Sequence, residues 1–370
     1  YKYKTMRYFL NLPSITNLEK KYVMETLKSG WLSAKGFHTN IFEKKFSKYS
    51  GCKYSIAVQS GTAAVHLALK ALGVTKNDKV IIPNYSCVST ISCVTQCNAT
   101  PLILDVEKDT YGLDIQNLEK AIKKHKPKAL QLIHVYGFPA KYSLQIIKLC
   151  KSYNVKVLED CSECLGGTVH NKKIGSLGDI SIFSVRSEKM IGVGEGAMVC
   201  TNSKKNFNTT MLLASRSCPW RRYKDPYWKK YYSNGEGYNY LMPHLLGSIG
   251  RAQIERFPEL LRKKIVIGNI YKKILKMKKI ESQKIIKNNK QVFWLNSVYL
   301  KDLSTSKVRE IGSKLMEEGI EVRSGFWPLS KMKNMKFLQY GSLKNSYDLF
   351  NKILVLPSSF NLVKKDIYYI

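Results

Sequence analysis

Between about residues 60 and 200 the chain alternates short apolar runs with amphipathic stretches. The runs are Val80-Ile81-Ile82, Pro101 to Asp105, Ala129 to Ile133, Val155 to Leu158, Ile180 to Phe183 and Ala197 to Cys200. Each is too short for a helix and continuous enough to be buried on both sides. Between them, Ala63 to Leu72, Leu118 to Lys124 and Ser143 to Ser152 carry apolar residues at helical spacing. Strand and helix in turn predict an α/β class with a mainly parallel central sheet covered on both faces.

The flanks read differently. Residues 1–50 form an amphipathic lead-in, with Leu18, Val23 and Leu27 near helical spacing, interrupted by Gly30-Trp31-Leu32-Ser33. Residues 220–240 are rich in Trp, Tyr, Arg and Lys without periodicity, which predicts a loop near a site or a subunit interface. A helix from Leu246 to Lys276 then leads into a second unit with a strand over Gln291 to Leu300, a helix over Lys307 to Glu318 and a late run Val355-Leu356-Pro357. The expected division is a large unit at 1–250 and a smaller C-terminal α/β unit at 251–370. No internal repeat stands out.

Composition narrows the class. The 370 residues and 44% hydrophobic content allow a substantial core. No apolar stretch approaches the roughly 20 residues that span a bilayer, so no membrane partner is expected. The first residues lack the basic-then-apolar grammar of a secretory signal, and a cytoplasmic location is expected. Nine scattered cysteines fit that compartment, with Cys93, Cys97, Cys150 and Cys200 reading as small buried hydrophobes. Cys161 and Cys164 have CxxC spacing, but no second pair accompanies them, so no metal is expected. The net charge of +34 is concentrated in part between Lys263 and Lys290. That block has few aromatics and no nucleic-acid motif, so it reads as a solvated helix face and no nucleic-acid partner is expected. A positive field would still speed the encounter with an anionic substrate.

The candidate chemistry centres on Lys189, five residues beyond Ser184 at a strand end and just before Gly192-Val193-Gly194-Glu195-Gly196. This glycine run lacks GxGxxG spacing, so it is no dinucleotide fingerprint. Upstream, Ser60-Gly61-Thr62 opens a helix, where small residues expose amide N–H groups to an anion. Asp160 closes a strand, the end at which open α/β sheets place ligands, and Glu163 follows three residues later. Either carboxylate could instead cap a helix. An amine nucleophile, a phosphate cradle and a strand-end carboxylate together match the needs of pyridoxal 5'-phosphate (PLP): an imine partner, an anion site and a counter-charge for the pyridine nitrogen. His66 falls inside a helix and reads as packed; His134, at a strand end, could face the site.

An ordered series of motifs resembles the DegT/DnrJ/StrS family of PLP-dependent sugar aminotransferases over nearly the whole chain. It comprises Gly30 to Gly36, Ser60 to Ala64, Pro83-Asn84-Tyr85-Ser86, Glu159 to Glu163, Gly178-Asp179-Ile180, Lys189 with Gly194-Glu195-Gly196, Gly237 to Met242, Ile320 to Arg323 and Leu356 to Ser359. The resemblance implies the type I PLP-dependent, aspartate aminotransferase-like fold. It also implies a homodimer whose sites are shared between subunits. In that frame Lys189 is the Schiff-base lysine and proton shuttle, Asp160 meets the pyridine nitrogen and Glu163 the ring oxygen. Ser60, Gly61, Thr62 and Ser184 hold the phosphate, and Asn239 adds a contact from the other subunit. Cys87 stands where the family often stacks an aromatic residue on the ring. Leu241 replaces an arginine, Pro243-His244 replaces a polar pair, and Glu188 precedes the lysine.

The opening Gly-Trp-Leu-Ser block is most similar to the perosamine-synthase branch. That branch moves an amino group, with glutamate as donor, to C4 of a nucleotide-linked 4-keto-6-deoxyhexose. The products implied are of the GDP-perosamine or UDP-viosamine type. Trp31, Lys35, His134, Arg323 and the loop at 220–236 are the expected sugar pocket. The alternatives are a C3 aminotransferase, a 3-dehydratase, whose family members carry histidine where this chain has Lys189, and a non-catalytic binding protein of the same fold.

Overall fold

A computed structural model describes residues 6–218 and 232–370. Helix α1 (Asn17–Ser29) opens with a capping box between Thr16 and Glu19 and closes at Gly30, whose φ of 66° is left-handed. Helix α2 (Phe37–Ser50) closes the same way at Gly51. Then follow β1 (Tyr54–Val58), α3 (Gly61–Ala71), β2 (Lys79–Pro83), α4 (Ser89–Gln96), β3 (Thr100–Leu104), α5 (Leu118–His125), β4 (Ala129–Ile133), α6 (Ser143–Ser152) and β5 (Lys156–Asp160). A small hairpin, β6 (Thr168–Val169) with β7 (Lys172–Lys173), precedes β8 (Ile180–Ser184), β9 (Ala197–Thr201) and α7 (Lys204–Ala214).

The expected alternation is present, and the fold is α/β with a mainly parallel sheet. β2, β3, β4, β5 and β8 pair in parallel, whereas β9 runs antiparallel to both β8 and β1. Because β9 reverses between them, β1 points the same way as β8. The carboxyl ends of β1, β4, β5 and β8 therefore meet at one edge. Register fixes what lies there: Ile133 sits opposite Asp160, and Asp160 opposite Ile182.

Helix α8 (His244–Met277) is 34 residues long and packs against both α1 and α2. Residue 250, the expected division, falls inside it. Beyond come β10 (Asn289–Lys290), β11 (Asn296–Tyr299), α9 (Thr305–Glu317), β12 (Arg323–Ser324), β13 (Leu338–Gln339), α10 (Lys344–Lys352), β14 (Ile353–Leu356) and α11 (Lys364–Tyr369). β14 sits between β11 and β12 in a second sheet, while β13 returns to the central sheet beside β3. The N-terminal segment joins this C-terminal part: Tyr8 bridges Ile320, and Ser358 donates its amide to Leu10.

Two expectations need correction. The buried face of α1 is Glu19, Tyr22 and Thr26, not the apolar line through Leu18, Val23 and Leu27, and Leu27 is exposed. Polar partners on α8 select that face: Glu19 accepts from Arg256 and Gln253, and Tyr22 donates to Glu255. Nor is the basic block wholly solvated. Lys264 is fully buried, and Lys272 turns inward onto Ser282 and the carbonyl of Gln283, where burial pushes its pKa down to about 8.

Candidate active site

A pocket of about 490 Å³ opens at the shared carboxyl edge of the sheet. It gathers Ser60, Gly61, Thr62, Cys87, Asp160, Glu163, Ser184 and Lys189 from four separate stretches of chain. Asp160 ends β5, Ser184 ends β8, and Ser60 caps α3 directly after β1. Each side chain is therefore carried on the rim of a rigid element.

Lys189 lies in the turn after β8, its amide donating to the carbonyl of Arg186 at 2.8 Å. Its Nζ donates to Glu163 Oε1 at 3.1 Å and sits 3.6 Å from the centroid of the Trp294 ring. An ammonium is drawn to that π face as well as to the carboxylate. The other oxygen of Glu163 accepts the Tyr136 amide at 2.8 Å. Burial pushes the Glu163 carboxyl above its ordinary range, and the charge of Lys189 pulls it back.

Asp160 is buried, and among the described residues its only hydrogen-bond donor is Ser162, whose amide is 3.0 Å from Oδ1. Burial pushes this carboxyl up too, with Lys189 and His134 acting against it. A buried carboxyl that lines a pocket and is so sparsely satisfied is suited to a cationic N–H donor brought by a ligand. At the start of α3 the Ser60 hydroxyl takes the Ala63 amide at 3.1 Å. The amides of Gly61 and Thr62 occupy the first turn, where a helix offers no internal acceptor. With Ser184 across from Gly61, the helix terminus forms an anion cradle. Amine, carboxylate and cradle in one pocket fit PLP.

The other expected residues are placed elsewhere. His134 is fully buried: its Nδ1 accepts the Ala140 amide at 3.0 Å and its Nε2 faces Glu159 Oε1 at 3.2 Å. Acceptance at Nδ1 puts the ring proton on Nε2, donated to Glu159. Glu159 also accepts the amides of Gly175, Leu177 and Gly178. His134, Glu159 and Cys161 lie close enough to hold an ion, but this carboxylate is already satisfied by protein donors and burial pushes the Cys161 thiol far up, against the thiolate that a metal needs. Trp31 and Lys35 line a separate groove of about 460 Å³, and Lys35 pairs with Glu43 at 2.8 Å. Arg323 is exposed, pairing with Glu188 at 3.3 Å and Glu321 at 3.2 Å. Asn239 is exposed and outside the pocket lining. Most of the loop at 220–236 lies outside the described residues. A larger hollow of about 880 Å³, walled by α9 and β12, has Arg323 on its rim but no lysine in its lining, so the smaller pocket is the one that suits an imine.

Several site features had no local sequence signal. Trp294 is far along the chain from the lysine it faces. Arg186 and Glu195 line the mouth of the pocket and pair at 3.0 Å, beside Glu188. Cys161 and Cys164 are buried and unpaired, as are Cys93, Cys97, Cys150 and Cys200. His66 is buried against Tyr238 and Tyr240 with neither ring nitrogen hydrogen-bonded.

Comparison with known proteins gives a consistent result. The DegT/DnrJ/EryC1/StrS aminotransferase family matches residues 13–370. The GDP-perosamine synthase of Escherichia coli O157:H7 is 33% identical over 358 residues, covering 97% of this chain and 95% of that protein. The GDP-perosamine synthase of Caulobacter vibrioides is 34% identical over 359 residues, covering 96% and 94%. Among solved structures, an aminotransferase from Psychrobacter cryohalolentis superposes with a TM-score of 0.87 at 22% identity, covering 97% of this chain and 96% of that one.

Proposed function

The chain belongs to the DegT/DnrJ/EryC1/StrS aminotransferase family, and from that premise we propose that it is a PLP-dependent nucleotide-sugar 4-aminotransferase. The amino group moves from an amino acid, glutamate, to C4 of a nucleotide-linked 4-keto-6-deoxyhexose. The relatives named GDP-perosamine synthase favour a GDP-perosamine type product over a UDP-viosamine type. One observation carries the reading: the Lys189 amine is held between Glu163 and Trp294 in the pocket that Asp160 and the start of α3 also line.

PLP, when bound, supplies an aldehyde that accepts the amino group and a ring that takes up the electrons of the broken C–H bond. The chain's residues do the rest. The amides of Gly61 and Thr62 with Ser60 and Ser184 anchor the phosphate. Asp160 accepts the ring N–H and keeps that nitrogen protonated. Lys189 would move a proton from the donor's Cα to the cofactor carbon that takes the amino group, and in the second half-reaction from that carbon to the sugar carbon. Glu163 and Trp294 hold Nζ in the pocket. Cys87 lines the pocket and would pack on the ring face. Arg186 and Arg323, partly neutralised by Glu188, Glu195 and Glu321, present donors to anionic substrate groups.

We also propose that the enzyme works in the cytoplasm as a homodimer. The exposed apolar residues Met24, Leu27, Trp31, Leu32 and Phe37 support a subunit contact. Trp31, Lys35 and Asn239 then act where two subunits meet. The defining experiment incubates the protein with PLP, glutamate and GDP-, UDP- or dTDP-linked 4-keto-6-deoxy sugars and identifies the product. A 4-amino sugar from one of them confirms the reading. A 3-deoxy product or a 3-amino sugar would replace it.

A further inference from the structure

Lys264 lies on α8, fully buried, with no carboxylate paired to it among the described residues. Its Nζ donates to three oxygens: Asn11 Oδ1 at 2.8 Å, the carbonyl of Trp294 at 2.9 Å and the carbonyl of Ser358. The Phe360 ring lies 4.7 Å away. Burial drives the amine toward its neutral form. Three acceptors and an aromatic face oppose that, because only an ammonium has three hydrogens to give.

A buried lysine without a counter-ion is costly, and its neighbours suggest what it does. Asn11 Oδ1 accepts from Lys264, which turns the Asn11 amide so that Nδ2 donates to the carbonyl of Glu188 at 2.6 Å. The Trp294 carbonyl accepts from Lys264, and Trp294 Nε1 donates to that same Glu188 carbonyl at 2.6 Å. Both residues held by Lys264 therefore converge on one oxygen. It belongs to the peptide that leads into Lys189. Asn11 Nδ2 also reaches the Lys189 carbonyl at 3.5 Å, and the Trp294 ring is the surface on which Nζ rests.

We propose that Lys264 is a positioning residue for Lys189: through Asn11 and Trp294 it fixes the Glu188–Lys189 peptide and the indole beneath the reactive amine. The inference rests on the reading of Lys189 as the Schiff-base lysine. Lys264 is fully buried and does not line the pocket. It sets the line along which the amine travels, and a displacement on the order of 1 Å can cost about 10²-fold in rate.

The test compares the wild-type holoenzyme with Lys264→Met and, as a control for the loss of an inward lysine on the same helix, Lys272→Met. Borohydride reduction and peptide mass spectrometry first locate the PLP attachment. Attachment at a lysine other than 189 overturns the Lys189 reading, and this proposal with it. With attachment at Lys189 secured, Lys264→Met should lower kcat by about 10- to 100-fold with KM within about 3-fold. It should alter the visible circular dichroism of the bound cofactor, and in the apoprotein raise deuterium uptake in peptides covering residues 186–190. Lys272→Met should lower the melting temperature without these changes. A Lys264→Met protein that melts lower but keeps kcat, dichroism and local exchange overturns the proposal. If that variant does not fold, Asn11→Ala and Trp294→Phe decide, since each keeps the lysine and cuts one relay. A fall in kcat with raised local exchange supports the proposal, and two unchanged proteins overturn it.

Discussion

The Lys189 ammonium rests 3.6 Å from the centre of the Trp294 ring, and the indole N–H of that same tryptophan binds the carbonyl of the residue just before the lysine. One side chain thus fixes both the backbone and the tip of the lysine. Glu163 completes the arrangement, accepting from Nζ while the Tyr136 amide holds its other oxygen. The amine is held without being buried beyond reach of a ligand.

Lys189→Ala removes the group proposed to carry the proton in both half-reactions. Turnover should fall by at least about 10²- to 10⁴-fold. PLP should still bind through the α3 cradle and Asp160, giving free-aldehyde absorbance that glutamate no longer bleaches. Stopped-flow absorbance with glutamate checks this, and normal bleaching in the variant would remove Lys189 from the mechanism.

As the proposed partner of the cofactor's ring nitrogen, Asp160 would couple cofactor binding to stability with a definite sign. Burial raises its folded-state pKa above the unfolded value. The folded apoprotein therefore binds this proton more tightly. That contribution is complete below the ordinary carboxylate range and is lost as pH rises through the folded value. Asp160→Asn carries no charge to bury. Its apoprotein should melt no lower than the wild type near neutral pH, with the difference growing as pH rises above the ordinary carboxylate range. PLP affinity should drop by about 10- to 100-fold, the range of one hydrogen bond to a charged group. Melting curves of apo and PLP-loaded protein at several pH values read both effects.

His134 distinguishes a structural role from a substrate role. Its removal in His134→Ala leaves the Ala140 amide donor and one acceptor site on buried Glu159 unmet, each costing about 1–3 kcal/mol. The melting temperature should fall, and the KM for the nucleotide sugar should stay within about 2-fold. A large rise in KM with unchanged melting would return His134 to the sugar pocket.

How much of this was readable in the sequence follows from the range of each interaction. The strands and the residues at their ends were legible because continuous apolar runs and a terminal Asp160 or Ser184 are local signals. The helix start that lines the pocket was legible for the same reason, since Ser60-Gly61-Thr62 is a local capping signal whose free amides suit an anion. Trp294 and Lys264 were not. Their roles depend on α8 and the segment before β11 folding back beneath the Lys189 turn, and neither carries a local mark of that. The α1 face was misread because Glu19 is an inward residue only when Arg256 and Gln253 are brought to it. The motif series supplied Glu163, which spacing alone left open between a helix cap and a partner of the site.

Phe37 tests the subunit contact. It is 66% exposed at the start of α2, which makes it a poor contributor to the fold of one chain. Phe37→Glu should leave the unfolding free energy of the isolated subunit within about 0.5 kcal/mol of wild type. It should shift the sedimentation coefficient from dimer to monomer and reduce activity in proportion. A variant that still sediments as a dimer would exclude this face as the contact.

Gly268 offers a case in which two effects oppose. It lies inside α8, so replacement by alanine gains about 1 kcal/mol in helix propensity. A Cβ there would stand 2.1 Å from Cγ of Phe293 and 2.5 Å from its Cβ. Phe293 has little room to yield, being fully buried with a left-handed φ of 52°. Overpacking of this kind costs about 1–3 kcal/mol, occasionally more, so the clash should win. Trp294 is the next residue, and any relief obtained by moving Phe293 is transmitted to the indole under Lys189. Gly268→Ala should therefore lower both the melting temperature and kcat, with KM nearly constant. An exposed alanine substitution elsewhere on α8, such as Val266→Ala, should change neither by much. If Gly268→Ala were more stable than wild type, propensity would have prevailed and the close packing of α8 on Phe293 would be wrong.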